Sequence, residues 1–342
     1  MTARPLVLVT DADFPLGPVD QMLDNAGLDF RLERCRDEDD VIGVVADAAA
    51  LIVQWAPITA AVLEAAVNCR FISRLGIGYD MIDVAAATAR GIPVANTPDY
   101  CLEEVALHSV ACAFAGLRSV ADLDRAVREG RWNASDAPRA VRPSETTAAV
   151  IGFGRIGSAV ARTLAAAGLR VLVYDPFVDV DSIAMAGHSP TTLEEALARA
   201  DLLMLHARLT EETLRLINRE RLDLLPRGAY VVNTCRGGLI DEDALADMLE
   251  NGQLSGAALD VFEREPLPSS SRLRHAPNVT LSPHAAWYSP HSLVELPRQA
   301  TQHVIDFLAD RPVRSIVNPE VLAGGRGDRQ LTARVSRSVR RR

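Results

Sequence analysis

Ala148-Ala149-Val150-Ile151-Gly152-Phe153-Gly154-Arg155-Ile156-Gly157 is an apolar run that enters a G-x-G-x-x-G pattern and leaves it through a helical stretch, Ser158 to Ala167. A strand before and a helix after separate this arrangement from an ordinary glycine turn. The first glycine permits the tight turn, the second lets backbone approach a pyrophosphate, and the third lets helix and strand pack closely. The helix N–H groups and dipole then face the phosphates. The next apolar run, Arg170 to Tyr174, ends in Asp175, 18 residues beyond Gly157. An acid at that distance is expected to hold the adenosine ribose hydroxyls. The stretch therefore predicts a dinucleotide site built on Gly152, Gly154, Arg155, Ile156, Gly157 and Asp175. A carboxylate at that strand end would repel a 2′-phosphate, so NAD(H) is favoured over NADP(H).

Outward from this motif, short apolar runs alternate with helical patterns, the signature of parallel strands joined by crossover helices. The expected class is α/β. Downstream strands are read at Leu202–His206, Tyr230–Asn233, Ala257–Asp260 and Val279–Leu281, and an earlier series at Leu6–Thr10, Ala50–Gln54 and Phe71–Arg74. Two series imply two doubly wound, Rossmann-like parallel-sheet domains. The Ala-, Leu- and Val-rich stretch Leu102 to Glu129 reads as one long inter-domain helix between Pro98 and Gly130. A last helix, about Ser292 to Asp310, could carry the chain back, leaving the first domain discontinuous. The expected division is 1–98 with 291–322 for one domain, 99–290 for the nucleotide domain, and 323–342 as a basic, disordered tail.

Composition narrows the function. The chain has 342 residues, 48% hydrophobic and 24% charged, with a formal charge of −9, which argues against a nucleic-acid-binding body. All 36 Lys+Arg cations are arginines, which excludes Schiff-base lysines and a Walker A lysine. The tail from Gly324 holds seven arginines against one aspartate. Five scattered cysteines without a C-x-x-C pair suggest neither a disulfide framework nor a metal site. With no long apolar run and no signal-peptide pattern at Met1-Thr2-Ala3-Arg4-Pro5, no membrane partner is expected and the reading is cytoplasmic.

Polar residues cluster just past strand ends, where open α/β sheets bind ligands. Arg236, in Asn233-Thr234-Cys235-Arg236-Gly237-Gly238, could hold a carboxylate bidentately. Asp260 ends another strand, Glu265 lies in the loop after it, and His284 follows the next, in Ser282-Pro283-His284-Ala285-Ala286-Trp287-Tyr288. Singly, each has a plain structural reading: a surface salt bridge, a solvated acid, a satisfied histidine.

Taken in order, these motifs resemble the D-2-hydroxyacid dehydrogenases over roughly residues 5 to 320, with Arg236 and Glu265 29 residues apart and Glu265 and His284 19 apart. Arg74-Leu75-Gly76-Ile77-Gly78-Tyr79-Asp80 and Asn96-Thr97-Pro98-Asp99-Tyr100 look like the family's substrate loop and hinge entry. His284-Ala285-Ala286-Trp287-Tyr288-Ser289 is most similar to the branch of the carboxy-terminal binding proteins and their bacterial relatives. The resemblance implies a flavodoxin-like substrate domain, a homodimer, a small 2-oxo or 2-hydroxy acid as substrate, and catalytic Arg236, Glu265 and His284. It also implies cofactor contacts from His206, Thr234, Cys235 and Asp260, the last near the nicotinamide amide. Substrate contacts would come from Leu75, Gly76, Ile77 and Gly78 as a cradle of backbone N–H groups, with Tyr100, Arg236 and Trp287. In the implied reaction His284 is general acid in reduction and general base in oxidation. Glu265 would orient it and stabilise its imidazolium, and Arg236 would polarise the carbonyl. The chain departs from the pattern at Arg208, where proline is usual, and at Met81 and Asp99, which leave the substrate's identity open. Two other readings stand beside this one: a non-catalytic NAD(H)-sensing, corepressor-like protein, and a dehydrogenase of another anion such as phosphite. Formate is disfavoured because its relatives carry glutamine where Glu265 stands.

Overall fold

The computed structural model describes residues 3–137 and 140–323; the arginine-rich tail lies outside them. The chain divides into two compact units, residues up to Tyr100 together with the segment from Ser289 onward, and Cys101–Tyr288.

The first unit is a five-stranded parallel sheet of β1 (Leu6–Val9), β2 (Asp29–Leu32), β3 (Ala48–Val53), β4 (Ile72–Arg74) and β5 (Val94–Ala95). Its order is β2-β1-β3-β4-β5. This is the flavodoxin-like doubly wound order. The helix Pro290–Leu308 returns to this sheet: Phe307 stacks on Phe71 at 4.5 Å, and Ser73 Oγ donates to the Ala300 carbonyl at 2.9 Å. Asn318, 1% exposed, then accepts from Val94 N–H at 2.8 Å and donates to Ile92 O at 3.0 Å. The discontinuous chain is thus fastened by buried hydrogen bonds between side chains and backbone.

The second unit holds β6 (Thr147–Ile151), β7 (Arg170–Tyr174), β8 (Ser189–Pro190), β9 (Leu202–Leu205), β10 (Tyr230–Asn233), β11 (Gly256–Leu259) and β12 (Val279–Leu281). They pair in the order β12-β11-β10-β9-β6-β7-β8, all parallel. Strands buried on both faces need apolar residues at every position, and β6, β9, β10 and β11 are buried throughout. Alternate residues feed opposite cores. Ala149, Ile151, Leu203, Leu205 and Val231 join one cluster, while Ala148, Val150, Leu202, Met204 and Val232 join the other. The order reverses between β6 and β9, which places a ligand crevice beyond their carboxyl ends.

Two expectations are corrected. The stretch Leu102 to Glu129 is two helices, Leu102–Leu117 and Val120–Arg128, because Ser119 takes a left-handed φ of 50°. Near that break the helix is pressed onto β10, with the ring of Tyr230 filling the space a Cβ on Gly116 would need. The sequence reading also lacked β2, β5 and β8, which are short or polar edge elements with little apolar periodicity. Among the described residues no helix is long and apolar enough to cross a membrane.

Candidate active site

The glycine turn after β6 uses each glycine for a different reason. Gly152 has φ 96°, and a Cβ there would lie 2.6 Å from the His206 carbonyl. Gly157 abuts the Gly152 carbonyl, so a side chain would push the helix Arg155–Ala166 off the strand. A Cβ at Gly154 would meet no protein atom within 4 Å. The space beside it is open to a ligand. Arg155 and Ile156 open the helix, and Asp175 closes the turn, its Oδ2 accepting from Phe153 N–H at 2.7 Å and its Oδ1 from Phe177 N–H at 2.9 Å. Each carboxylate oxygen retains a lone pair for a ribose hydroxyl.

His206, just past β9, has its Nε2 buried without a partner among the described residues. Burial pushes its pKa down to about 4. A neutral imidazole nitrogen left unsatisfied beside the glycine turn fits a site completed by a bound dinucleotide. Thr234, 7% exposed, shares a 2.5 Å hydrogen bond with Ser109, and Cys235 Sγ donates to Ala207 O at 2.8 Å. The second bond ties the turn after β10 to the segment that follows β9. Arg208 is exposed, and its carbonyl accepts from Thr213 Oγ1 at 2.6 Å.

His284 and Glu265 come together. Nδ1 lies 2.7 Å from Glu265 Oε2, with the side chains 20% and 32% exposed. An imidazole that gives its Nδ1–H to a carboxylate keeps Nε2 for proton exchange. Glu265 Oε1 accepts from Phe262 N–H at 2.9 Å. Burial pushes the Glu265 carboxyl upward, but the hydrogen bond and charge of His284, the Phe262 N–H and the Arg236 guanidinium outweigh it and hold the pKa below its ordinary 4.5. The stabilisation this carboxylate contributes is therefore complete above pH 4.5 and is lost as pH falls through the lowered value.

Arg236 leaves β10 in extended backbone, its Nη1 donating to Cys235 O at 2.8 Å. Its orientation depends on Asn233, a residue the sequence reading treated only as part of a motif. Buried to 1%, Asn233 donates Nδ2 to Arg236 O at 2.8 Å and accepts from Cys235 N–H at 3.1 Å. Glu242 was missed as well. Its Oε1 accepts from Glu263 N–H at 2.6 Å, tethering the loop that carries Glu265. Nothing in the sequence spacing signals either tether.

Asp260, expected beside the nicotinamide amide, is 1% exposed and spends most of its carboxylate within the protein. It accepts from Ser282 Oγ at 2.5 Å and from the N–H groups of Ala285 and Ala286 at 2.9 Å each. One lone pair on Oδ2 remains for a ligand. Trp287 follows, edge-on to Tyr288 at 6.0 Å.

In the first unit, two of the four N–H groups expected to form a substrate cradle are already engaged. Leu75 N–H already donates to Val53 O at 2.7 Å, and Gly76 N–H to Arg74 O at 3.0 Å and Thr97 Oγ1 at 2.8 Å. Only Ile77 and Gly78, of the four, keep N–H groups without a protein acceptor among the described residues. Gly76 has φ 148°, and a Cβ there would fall 2.5 Å from Arg74 Nη1. Arg74, 2% exposed, lies 5.0 Å from the Trp55 ring centroid and was not singled out from sequence. Tyr100 is 7% exposed.

The family model described as "D-isomer specific 2-hydroxyacid dehydrogenase, NAD binding domain" matches residues 110–286, more than half of the chain. A glyoxylate reductase of Korarchaeum cryptofilum is 37% identical over 294 residues, covering 85% of this chain and 86% of that protein. A D-3-phosphoglycerate dehydrogenase of Synechocystis is 35% identical over 313 residues, and there the chain spans only 56% of its relative's length. The crystal structure of Aquifex aeolicus D-lactate dehydrogenase, complexed with NAD and lactic acid, superposes with a TM-score of 0.82 at 28% identity, covering 93% of this chain and 98% of that one. With its glycine turn, Asp175 and unsatisfied His206 formed as a dinucleotide site requires, the chain belongs to the NAD-binding D-isomer specific 2-hydroxyacid dehydrogenase family.

Proposed function

We propose that the protein reduces a small 2-oxo acid to its 2-hydroxy acid, reversibly, with His284 as the proton donor. The observation that carries this reading is the 2.7 Å pairing of His284 Nδ1 with Glu265, which leaves Nε2 to exchange a proton with the substrate oxygen. NAD(H), when bound, supplies or takes up hydride at the substrate's second carbon. Arg236 binds the substrate carboxylate and stabilises the charge that develops on the carbonyl oxygen. Trp287, three residues past His284, shapes the side-chain end of the pocket. The direct test is a panel of 2-oxo acids followed by loss of NADH absorbance. The relatives' names put glyoxylate in it, and D-3-phosphoglycerate and D-lactate in the reverse panel. NADH binding without turnover on any of them would overturn the reductase reading and favour the corepressor-like one, which the His284–Ser289 run keeps in view.

Cofactor choice follows from Asp175. Its carboxylate is pinned by two backbone N–H groups, so it cannot swing away from a 2′-phosphate. The protein should prefer NADH to NADPH, and Asp175→Ala should erode the preference mainly by improving kcat/KM with NADPH. Equal efficiency with both cofactors in the unmutated protein would defeat this.

A pH prediction follows from Glu265. His284 holds the Glu265 carboxyl below its ordinary range, so the pair stays intact as the pH falls toward 4.5, and Glu265→Gln, which removes that carboxylate, should change the acid side of the kcat profile for reduction and leave NADH affinity intact. A pH profile of kcat for reduction that does not move would remove Glu265 from the proton transfer.

We also propose a homodimer built through the nucleotide-binding unit and its stretch Leu102 to Glu129. Leu107 on the first of its two helices, 71% exposed, and Val120 and Val127 on the second, both more than half exposed, extend the apolar surface. Sedimentation at micromolar concentration should show a dimer; a monomer would count against it.

A further inference from the structure

We propose that His108 is a positioning residue for this reaction, holding the loop of His284 through Ser282 and Asp260. The inference rests on His284 being the proton donor.

His284 stands in the left-handed region, φ 52°, which L-residues rarely keep unless surrounding bonds over-determine the backbone. Those bonds converge on Asp260. Its carbonyl accepts from His284 N–H at 2.8 Å, and its carboxylate accepts from the next two N–H groups, Ala285 and Ala286. The orientation of that carboxylate thus sets the course of the loop. Ser282 Oγ donates to Oδ1, the oxygen that also accepts from Ala285 N–H, at 2.5 Å, and beyond it stands His108 Nε2, 3.3 Å from the hydroxyl and 3.8 Å from Asp260 Oδ1.

A serine hydroxyl has one proton, and here it goes to the carboxylate. Toward His108 the oxygen can only accept, so Nε2 of His108 carries the hydrogen. The chain of donors therefore runs one way, from His108 on the helix Leu102–Leu117 through Ser282 to Asp260. Cys112, one turn further along that helix, also faces Asp260, but burial and then that negative charge raise its thiol to about 11, so it stays neutral. Without His108 the hydroxyl could turn away, and a carboxylate 1% exposed would lose a donor it cannot replace from solvent. His108 touches none of the reacting atoms proposed above; it acts through the two residues between.

The test uses the full chain. His108→Phe keeps a ring and removes the donor, whereas His108→Gln sets an amide N–H near the position of Nε2. His108→Phe should lower kcat for 2-oxo acid reduction roughly 10-fold, as expected for one lost hydrogen bond in a charged network, with the KM for NADH nearly unchanged. Amide exchange in the segment 282–288 should accelerate by a similar factor. His108→Gln should recover both to within about threefold. In a Ser282→Ala background, where the relay is already cut, His108→Phe should cost less than about twofold more. Wild-type exchange in 282–288 for His108→Phe, or full additivity with Ser282→Ala, would overturn the proposal. If His108→Phe does not fold, His108→Asn, which places no atom at Nε2, takes its place. Exchange reads the relay whether or not a substrate is found, so inactivity on every 2-oxo acid would sink the reductase reading alone.

Discussion

His284→Ala should lower turnover in both directions by about 10² to 10⁴, the range general acid–base catalysis contributes. That corresponds to about 3 to 5 kcal/mol of transition-state stabilisation. The loss should be chemical rather than structural, because the bonds that shape the loop belong to its backbone. His284 N–H donates to Asp260 O, and Ala285 and Ala286 N–H donate to the Asp260 carboxylate; none of these needs the imidazole. Removing the ring also frees Glu265, which keeps the Phe262 N–H and the nearby Arg236 charge. The variant should accordingly bind NADH as the wild type does, measured by fluorescence quenching, while steady-state reduction of the best substrate collapses. Near-full activity would refute the proton-transfer role.

Gly237→Ala should be the most damaging single methyl group in the second unit. A Cβ there would overlap the backbone of Phe262 and Glu263, and backbone cannot rotate away as a flexible side chain can. Overpacking of this kind typically costs about 1–3 kcal/mol and sometimes more, and a main-chain collision belongs at the upper end. Gly237 directly follows Arg236 and abuts the loop whose Phe262 N–H holds Glu265, so relief of the clash must part Arg236 from Glu265 and His284. A displacement near 1 Å can cost about 100-fold in rate. Urea unfolding should show a lowered midpoint, and kcat/KM should fall by about that factor. Gly43→Ala, whose Cβ would meet only ordinary contacts at 3.5 Å and beyond, serves as the neutral control. Wild-type midpoint and kcat/KM in Gly237→Ala would show that the loop yields more easily than its backbone contacts indicate.

Which parts of this molecule could be read before folding is itself instructive. The central strands were legible because a sheet covered on both faces demands unbroken apolar runs, as in Val150-Ile151 or Leu202-Leu203-Met204-Leu205. Edge strands such as Asp29–Leu32 bury little and leave no such trace. The break at Ser119 was hidden for a related reason. Apolar spacing runs on from Leu117 into Val120, and only a left-handed serine beside the Gly116–Tyr230 contact divides the helix.

The chemistry divides along the same line. Sequence by itself marked the nucleotide turn and Asp175, because a dinucleotide loop tolerates few residue types at those positions, and it was the resemblance to the family that singled out Arg236, Glu265 and His284 as candidates. Tertiary structure decided the geometry of the contacts among those groups, including the pairing of His284 with Glu265 that the resemblance had implied. It joined His284 to Glu265 across 19 residues. It committed the N–H groups of Leu75 and Gly76 to Val53, Arg74 and Thr97, leaving those of Ile77 and Gly78, of the four expected to form a cradle, without a protein acceptor among the described residues. It also turned Asp260 toward the loop of His284 and brought His108 to Ser282 from 174 residues away. Residue type follows from what the chemistry needs, whereas a hydrogen bond depends on angle and distance between segments remote in sequence, and those are fixed only when the chain packs.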